Sequence, residues 1–345
     1  MNNPFCLTFG KEPYQLISRY VPMNEIINSF SEEKPSQQVY MITGVRGSGK
    51  TVFMNSVSKE LKEDNDWVVI ELNSSGELLK ELAEKLYSIK GMSKIFNESG
   101  INLSVFGIEV ELKKNDPIGA SLEVAIENML EKLSKKNKRV LISIDEVSNS
   151  KEMRTFAGAF QIFLRHDLPL FLLMTGLYEN INSLQNEKNL TFLYRAPKIY
   201  LKPLNLSSMC DIYENTLSLS HDESLILAKE TKGYSFAFQV IGYFCFKHKG
   251  NFERSKREIR QYLDDYVYDK IWLELPEKER QIMIIIAVDK IYEVALIKDK
   301  IGFKSNEFSV YRDRLIKKGI LESHSRGSLE IALPFLDTYI QEHEY

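Results

Sequence analysis

The residues best suited to chemistry form a glycine-rich run near the amino terminus, Gly44–Thr51, which reads GVRGSGKT. It fits the pattern G-x-x-x-x-G-K-[ST], in which glycines let successive backbone N–H groups point at phosphate oxygens. The pattern directs Lys50 at the β- and γ-phosphates of a nucleotide and offers the Thr51 hydroxyl to Mg²⁺. The alternative is a glycine-rich turn that binds nothing. The candidate nucleotide-binding residues of this run are Gly44, Val45, Arg46, Gly47, Ser48, Gly49, Lys50, Thr51 and Val52.

Two acids, Asp145 and Glu146, follow a second apolar run, Arg139–Ile144. An apolar strand that ends in Asp-Glu is the Walker B arrangement. Asp145 would hold Mg²⁺ through a water at the carboxyl end of the strand, where ligands of α/β proteins bind. Glu146 would orient or deprotonate the water that attacks the γ-phosphate. The alternative is a pair of acids that begins a surface loop.

Two further positions are candidates for the same reaction. Thr175 and Gly176 follow the apolar run Leu170–Met174, and a hydroxyl there would sense the γ-phosphate or the attacking water. The alternative for Thr175 is a turn that ends a strand. Arg195 precedes the last predicted strand and would reach the γ-phosphate of a neighbouring subunit as an arginine finger. The alternative for Arg195 is a surface or ion-paired arginine.

The elements that must position these residues alternate along the chain. Apolar, β-branched runs that end at turn residues predict buried strands. Segments between them, such as Leu78–Ile89 and Ser121–Leu133, carry apolar residues at helical spacing. Strands that alternate with helices indicate an α/β fold, a parallel sheet with helices on both faces. The alternation in Ile101–Leu112 predicts an inserted β-hairpin. The predicted strands are Gln38–Thr43, Trp67–Leu72, Val140–Ile144, Leu170–Met174 and a fifth that begins at Tyr200.

The pattern changes near Pro203, after which Ser207–Tyr268 is mostly helical. After Pro276 the predicted order is helix, short helix, helix and hairpin, which is the plan of a winged helix. These last elements are Glu277–Val288, Val294–Ile301, Ser305–Lys318 and a hairpin over Ser323–Ile331. We therefore predict three domains: an α/β core at 1–204, a helical domain at 205–270 and a winged-helix domain at 271–345.

Charge favours one surface for a macromolecular partner. The 345-residue chain has a net charge of −3, which excludes a polycationic nucleic-acid coat, whereas residues 298–326 sum to +4. A winged helix would lay Ser305–Lys318 in the major groove of double-stranded DNA. The alternative is a winged helix that docks a protein. The basic residues of this span are Lys298, Lys300, Lys304, Arg312, Arg314, Lys317, Lys318 and Arg326.

The cysteine content and the lengths of the apolar runs also bear on the cellular compartment of the protein. Three cysteines far apart, Cys6, Cys210 and Cys245, argue against a disulfide framework and against a zinc site, and fit a reducing cytosol. The amino terminus lacks the features of a signal peptide, and the longest apolar run, Ile282–Val288, is far shorter than the ~20 residues of a membrane span. We predict a cytoplasmic protein without membrane contact.

With these motifs in place, the chain resembles AAA+/STAND-type P-loop ATPases, akin to the archaeal ATPase family and the origin-recognition initiators. The resemblance rests on the two Walker-type motifs and on Leu173–Leu177 after them. It extends to both ends of the chain, with segments at Asn3–Phe5, Thr8–Gly10, Ser18–Arg19, Arg312–Leu321, Arg326–Gly327 and Ala332–Leu336.

The resemblance implies a P-loop NTPase core, a helical lid and a winged helix, with ATP or ADP and Mg²⁺ as cofactors. It places Arg19 near the adenine, although Ser18 stands where the family often has glycine. The lid stretch Lys232–Gln239 lacks the sensor arginine of many AAA+ proteins, which favours the STAND-like branch of slow nucleotide switches.

We therefore expect an ATP-binding and ATP-hydrolysing switch that acts on DNA or on a DNA-bound complex. Two alternatives remain open. One is a signalling or scaffold ATPase whose winged helix docks a protein partner or a second copy of the chain. The other is the ATPase helper of a mobile element.

Overall fold

The chain folds into two compact units in the computed structural model, which describes residues 2–8, 10–98, 121–323 and 327–344. The sheet unit comprises Tyr20–Thr43 and Phe53–Ile199. The helical unit comprises Met1–Arg19, Gly44–Val52 and Tyr200–Tyr345. The predicted hairpin at 101–112 and Arg326 lie outside the described residues. The three-domain division at 204 and 270 stays a prediction.

The sheet unit contains a five-stranded sheet with the order β2-β3-β4-β1-β5. The pairs β1–β4, β4–β3 and β3–β2 are parallel, so these strands end at one edge of the sheet. Every residue of β1 and β4 is buried, so both faces of the sheet are covered. The predicted α/β fold with a parallel sheet is confirmed. The strands are β1 (Val39–Thr43), β2 (Trp67–Leu72), β3 (Arg139–Ile144), β4 (Leu170–Gly176) and β5 (Lys198–Tyr200).

Helices connect the strands of the sheet unit and fill its apolar core. Two of them begin at serine caps: the Ser121 hydroxyl accepts from the N–H of Val124, and the Ser150 hydroxyl accepts from that of Met153. These bonds satisfy donors that the first helical turn leaves unpaired. The helices are α1 (Tyr20–Ser31), α2 (Lys50–Glu63), α3 (Leu78–Tyr87), α4 (Ser93–Glu98), α5 (Leu122–Ser134), α6 (Lys151–Arg165), α7 (Tyr178–Gln185) and α8 (Thr191–Arg195).

The helical unit gathers three separate stretches of chain around one core. Phe5, near the amino terminus, is 3% exposed and packs against Tyr213 and Phe238. A side chain at Gly242 would place its Cβ 2.3 Å from the Phe5 ring, so only glycine fits there. The helices are α9 (Leu206–Leu217), α10 (His221–Glu230), α11 (Ser235–Lys247), α12 (Phe252–Leu263), α13 (Asp269–Glu274), α14 (Glu277–Ala287), α15 (Val294–Ile301), α16 (Ser305–Lys318) and α17 (Leu336–His343), with a π-helical segment, Asp264–Tyr268, between α12 and α13.

The carboxyl-terminal elements follow the predicted order, but the first hairpin strand lies at 321–322, before the predicted start at Ser323. Helices α15 and α16 have the predicted bounds. Two short antiparallel strands, β6 (Leu321–Glu322) and β7 (Glu330–Ile331), follow α16. Within the described ranges, no helix combines the length and the hydropathy that crossing a membrane requires.

Candidate functional site

The glycine loop, Gly44–Thr51, follows β1 in the chain and leads into α2, which begins at Lys50. Gly47 and Gly49 have φ angles of +72° and +87°, a backbone conformation that other residues adopt only with strain. At Gly47 a Cβ would also lie 2.2 Å from the Tyr234 hydroxyl. The loop therefore needs glycine both for its own turn and for the close approach of Tyr234.

Main-chain carbonyls of the glycine loop accept hydrogen bonds from residues at the start of α11. The Tyr234 hydroxyl donates to the carbonyl oxygen of Arg46 at 2.5 Å. The N–H of Phe236 donates to the carbonyl oxygen of Gly47 at 3.1 Å. These bonds use the carbonyl side of the loop, whereas the pattern predicts that phosphates engage its N–H groups.

Arg19 and Ser235 converge on one further carbonyl of the loop, that of Ser48. Nη2 of Arg19 donates to the Ser48 oxygen at 3.0 Å and to the Ser235 hydroxyl at 3.0 Å. The Ser235 hydroxyl donates to the same Ser48 oxygen at 3.0 Å. Burial lowers the pKa of the Arg19 guanidinium to about 10, which leaves it cationic at neutral pH. The structure thus brings Arg19 to the glycine loop, as a clamp on its backbone.

The glycine loop also contacts the carboxyl-terminal helices. The Arg46 guanidinium forms two hydrogen bonds with the Glu274 carboxylate at the end of α13, Nε–Oε2 at 3.1 Å and Nη2–Oε1 at 2.6 Å. Val45 packs against the core of the helical unit, and a Cβ at Gly319 would lie 3.8 Å from the Val45 side chain. The planar two-point pairing between Arg46 and Glu274 fixes the orientation of the Arg46 side chain.

Lys50 and Ser48 supply polar groups suited to an anion. The Lys50 ammonium is held by the loop itself, because Nζ donates to the carbonyl oxygens of Gly44 and Val45 at 3.0 Å each. Lys50 is 8% exposed and Ser48 6%. Among the described residues, the buried Ser48 hydroxyl has no hydrogen-bond partner. A buried hydroxyl and a buried ammonium in a glycine turn fit the phosphates of a nucleotide. Thr51 is half-buried in the first turn of α2.

In the sheet unit, Asp145, Glu146 and Thr175 come together at the carboxyl ends of β3 and β4. The Thr175 hydroxyl donates to Oδ1 of Asp145 and accepts from the N–H of Glu146 at 3.0 Å. Thr175 is fully buried, whereas the Glu146 side chain is exposed. Glu146 has a φ of +50°, which costs a non-glycine residue about 1–3 kcal/mol. This cost indicates that the surrounding bonds impose the turn.

Arg195 does not join these acids. It ends α8 and is exposed on a groove that Gln38 and Arg165 also line. Gln38 precedes β1, so this groove lies at the amino-terminal edge of the sheet, opposite the edge where Asp145 follows β3. Within one copy of the sheet unit, Arg195 therefore faces away from the acids. Its role as a finger toward a neighbouring subunit stays a prediction.

Sequence reasoning missed Tyr234, Ser235 and Glu274 as partners of the glycine loop. The aromatic residues after Gly233 read as core packing, and Tyr234 is indeed 5% exposed, but its hydroxyl binds the loop. The available signal was a tyrosine and a serine directly after a glycine at a helix start. Nothing in the sequence around Glu274 distinguishes it from other surface acids.

Comparison with known proteins adds a family assignment. The profile of a family described as an ATPase domain predominantly from Archaea matches residues 19–193, just over half of the chain. A second profile, a domain of unknown function (DUF8462), matches residues 265–340. A search of curated proteins gave no match.

Solved structures with the same fold cover nearly the whole chain. A Walker-type ATPase of Pyrococcus abyssi superposes with a TM-score of 0.63 at 16% identity, over 94% of this chain and 96% of that one. The ORC2 protein of Aeropyrum pernix, in ADPNP–ADP complexes, superposes with a TM-score of 0.61 at 14% identity, over 97% and 95%. At these identities the likeness shows the fold alone. By its sequence profile, the chain belongs to the nucleotide-binding family of ATPase domains found predominantly in Archaea.

Proposed function

We propose that this chain is a nucleotide-dependent switch that binds and slowly hydrolyses ATP and acts on DNA or a DNA-bound complex. Family membership, the glycine loop and the buried Ser48 and Lys50 groups support ATP as the ligand. The ORC2 protein of the same fold is described with ADPNP and ADP, which agrees with an adenine nucleotide.

The candidate residues divide the chemistry among them. Thr51 and Asp145 would hold Mg²⁺, which supplies positive charge against the phosphates when bound. The Glu146 carboxylate would accept a proton from the attacking water, and its exposure leaves it open to that water. The Thr175 hydroxyl would keep the Asp145 carboxylate and the Glu146 backbone in one orientation.

The proposal of a switch rests on which segments of the chain form the helical unit. The glycine loop belongs to the same compact unit as α9–α17, and its carbonyls and Arg46 are bonded to Tyr234, Phe236 and Glu274. A nucleotide that reshapes the loop must therefore disturb or tighten these bonds. The carboxyl-terminal helices would read the nucleotide directly, through the backbone that binds it.

Charge on α16 and its neighbours supports DNA as the partner. Of the seven basic residues that the structure describes in 298–326, three are paired: Lys300 with Asp289, Arg312 with Asp313, and Lys318 with Glu279. Among the described residues of this span, Lys304, Arg314 and Lys317 are exposed and take part in no ion pair shown by the structure. A contact through these three would be weaker than the net charge of the segment suggests.

A second candidate function, docking of a protein, has its own observation. Two apolar side chains on α16, Val310 and Ile316, are 49% and 37% exposed, and Leu296 on α15 is 54% exposed. Exposed apolar side chains on a helix suit a protein surface better than a phosphate backbone.

Fluorescence anisotropy of a labelled duplex across a salt series, with and without ATP, distinguishes DNA binding from protein docking. Three neutralised phosphates give a slope of log affinity against log salt of about −2.7. Charge reversal of Arg314 and Lys317 should weaken binding to every duplex sequence and leave ATP affinity unchanged. Reversal of Lys135 and Lys136, exposed in the sheet unit, is the matched control. Absence of binding at low salt in both nucleotide states would reject DNA and favour the protein-docking function.

The switch is tested in the same assay. ATP should change the affinity for DNA, and Glu274→Gln should reduce that change because the Arg46 pairing loses its charge. Glu277→Gln, an exposed acid three residues away at the start of α14, is the control. A nucleotide response that is equal in both variants and the wild type would contradict transmission through Arg46 and Glu274.

A further inference from the structure

A thiol, a carboxylate and an imidazole meet at the hairpin between α9 and α10. Cys210 and Glu214 lie one turn apart on α9, and His221 is the first residue of α10. One ligand atom from each of the three lies within 4.8 Å of the other two. Sequence spacing gave no sign of this cluster, because the histidine reaches the other two only when the chain folds back on itself.

The distances within the cluster suit a small divalent ion. Sγ of Cys210 lies 3.7 Å from Nδ1 of His221, and that nitrogen lies 3.0 Å from Oε2 of Glu214. Zinc with thiolate, imidazole and carboxylate ligands in a tetrahedron separates its ligand atoms by roughly 3.3–3.6 Å. The Sγ–Nδ1 and Nδ1–Oε2 separations differ from these values by a few tenths of an ångström, and a carboxylate oxygen of Glu214 lies within 4.8 Å of Sγ.

Local structure holds the three side chains in place before any ion binds. Ser218 ends α9 in a left-handed conformation with a φ of +55°, which turns the chain within three residues. Ser220 and Glu223 then form a capping box that fixes the first turn of α10 and with it His221. The buried sulfur closes the inner side of the cluster, and His221 and Glu214, 64% and 42% exposed, leave the outer side open to solvent.

We propose that Cys210, Glu214 and His221 bind a zinc-class divalent cation, with the fourth position open to water. The ligand set combines a soft sulfur with nitrogen and oxygen, which favours Zn²⁺ over Mg²⁺ or Ca²⁺. Three protein ligands and an open position describe a site that can also bind an external ligand.

Binding releases one proton from the cluster. The thiol would give up its proton to form the thiolate ligand. A metal bound at Nδ1 of His221 requires the ring N–H to lie on Nε2. Glu214 would bind through a carboxylate oxygen. Burial, and after it the charges of Glu214 and Asp211, raise the pKa of the Cys210 thiol above its ordinary value.

The bound ion would tie α9 to α10. Both helices belong to the core of the helical unit, and α10 leads through Thr231–Gly233 to Tyr234, which bonds to the glycine loop. We therefore expect the cation to raise the stability of the helical unit.

The experiment is titration of the reduced, metal-free full chain with Co²⁺, which reports thiolate ligation by a charge-transfer band in the near ultraviolet. One equivalent should produce the band, and Zn²⁺ should abolish it by displacement. Cys210→Ser and His221→Ala should each remove the band, and His221→Ala changes an exposed residue that the fold tolerates. Zn²⁺ should also raise the melting temperature of the wild type and not that of either variant.

Two matched controls exist in the same unit. Cys245 is a second buried thiol, and its side chain is hydrogen-bonded with that of Ser255. His248 pairs with Glu258 in a second histidine–glutamate pair that, among the described residues, has no thiol beside it. Cys245→Ser and His248→Ala should keep the band at full strength. Absence of the band in the wild type, or a band that survives Cys210→Ser or His221→Ala, would overturn the proposal.

Discussion

The acids and the glycine loop, two groups of candidate nucleotide-site residues, differ in what holds them. The acids Asp145 and Glu146 take their partner from the neighbouring strand, since Thr175 lies 30 and 29 residues later in the chain. The loop takes its partners from much farther away: Tyr234 lies 188 residues after Arg46, and Glu274 lies 228 residues after it.

The difference implies that hydrolysis and nucleotide affinity depend on different parts of the protein. Sheet geometry fixes the acids regardless of what the helical unit does, because parallel strands bring their ends to one edge. The loop is bonded through its carbonyls and Arg46 to Arg19, α11 and α13, so its conformation depends on the helical unit. Chemistry at the acids should therefore tolerate changes in the helical unit, while nucleotide affinity should respond to them.

The largest expected effect is a loss of ATP hydrolysis, without a loss of ATP binding, when Glu146 is changed. Glu146→Gln keeps the shape and removes the base, so ATP should still bind while hydrolysis falls by roughly 10²–10⁴-fold. Single-turnover hydrolysis and nucleotide titration on one preparation measure both. Glu152→Gln, an acid in the first turn of α6, is the control. Normal hydrolysis in the Glu146 variant would remove this residue as the base.

The next effect tests the loop. Lys50→Ala removes a buried ammonium, and a hydrogen bond to a charged group is worth about 1.5–3 kcal/mol, so ATP affinity should fall by roughly 10–150-fold. Isothermal titration of the folded variant measures this. Lys62→Ala, exposed near the end of the same helix, should bind ATP as the wild type does. Unchanged affinity in Lys50→Ala would reject the loop as the phosphate site.

A smaller effect asks whether Thr175 acts by positioning. Thr175→Val preserves volume but removes the bonds to Asp145 and to the N–H of Glu146, so hydrolysis should fall about tenfold at unchanged ATP affinity. Thr175→Ser keeps the hydroxyl and should restore most of the rate. Equal rates in the two variants would show that the hydroxyl is not needed.

The smallest effect probes the distant support of the loop. Tyr234→Phe removes one neutral hydrogen bond, worth about 1 kcal/mol, so ATP affinity should weaken only a few-fold. Phe236, Ser235 and Arg19 still hold the neighbouring carbonyls. Hydrolysis by the bound fraction should not change. A loss of hydrolysis at saturating ATP would contradict the separation between the two regions.

The sequence predicts local features well because they arise from local periodicity. The strand Trp67–Leu72 and the helix Ser305–Lys318 have the predicted bounds, and the family resemblance is confirmed. The roles of Lys50, Asp145 and Glu146 stay predictions supported by their surroundings.

Long-range pairings were not predictable. Glu274 looks like any other exposed acid until the fold brings Arg46 to it, and His221 lies eleven residues from Cys210, beyond the reach of a helical repeat. Charge counting also overestimated the basic surface, because Lys318 is buried against Glu279. A net charge read from the sequence cannot separate paired cations from exposed ones.

Phe5 and the glycine loop pack against residues that are translated much later, so these contacts can form only after their partners have been made. Both segments leave the ribosome long before their partners at Tyr213–Glu274 have been made, and chains fold from the amino terminus as they emerge. Contacts across such separations form late, since the intervening chain must first close a long loop. A product that stops before Tyr234 would contain every residue of the GVRGSGKT motif and still lack the backbone partners that shape it. Nucleotide binding would thus be a property that the chain acquires only after residues as distant as Tyr234 and Glu274 have been made.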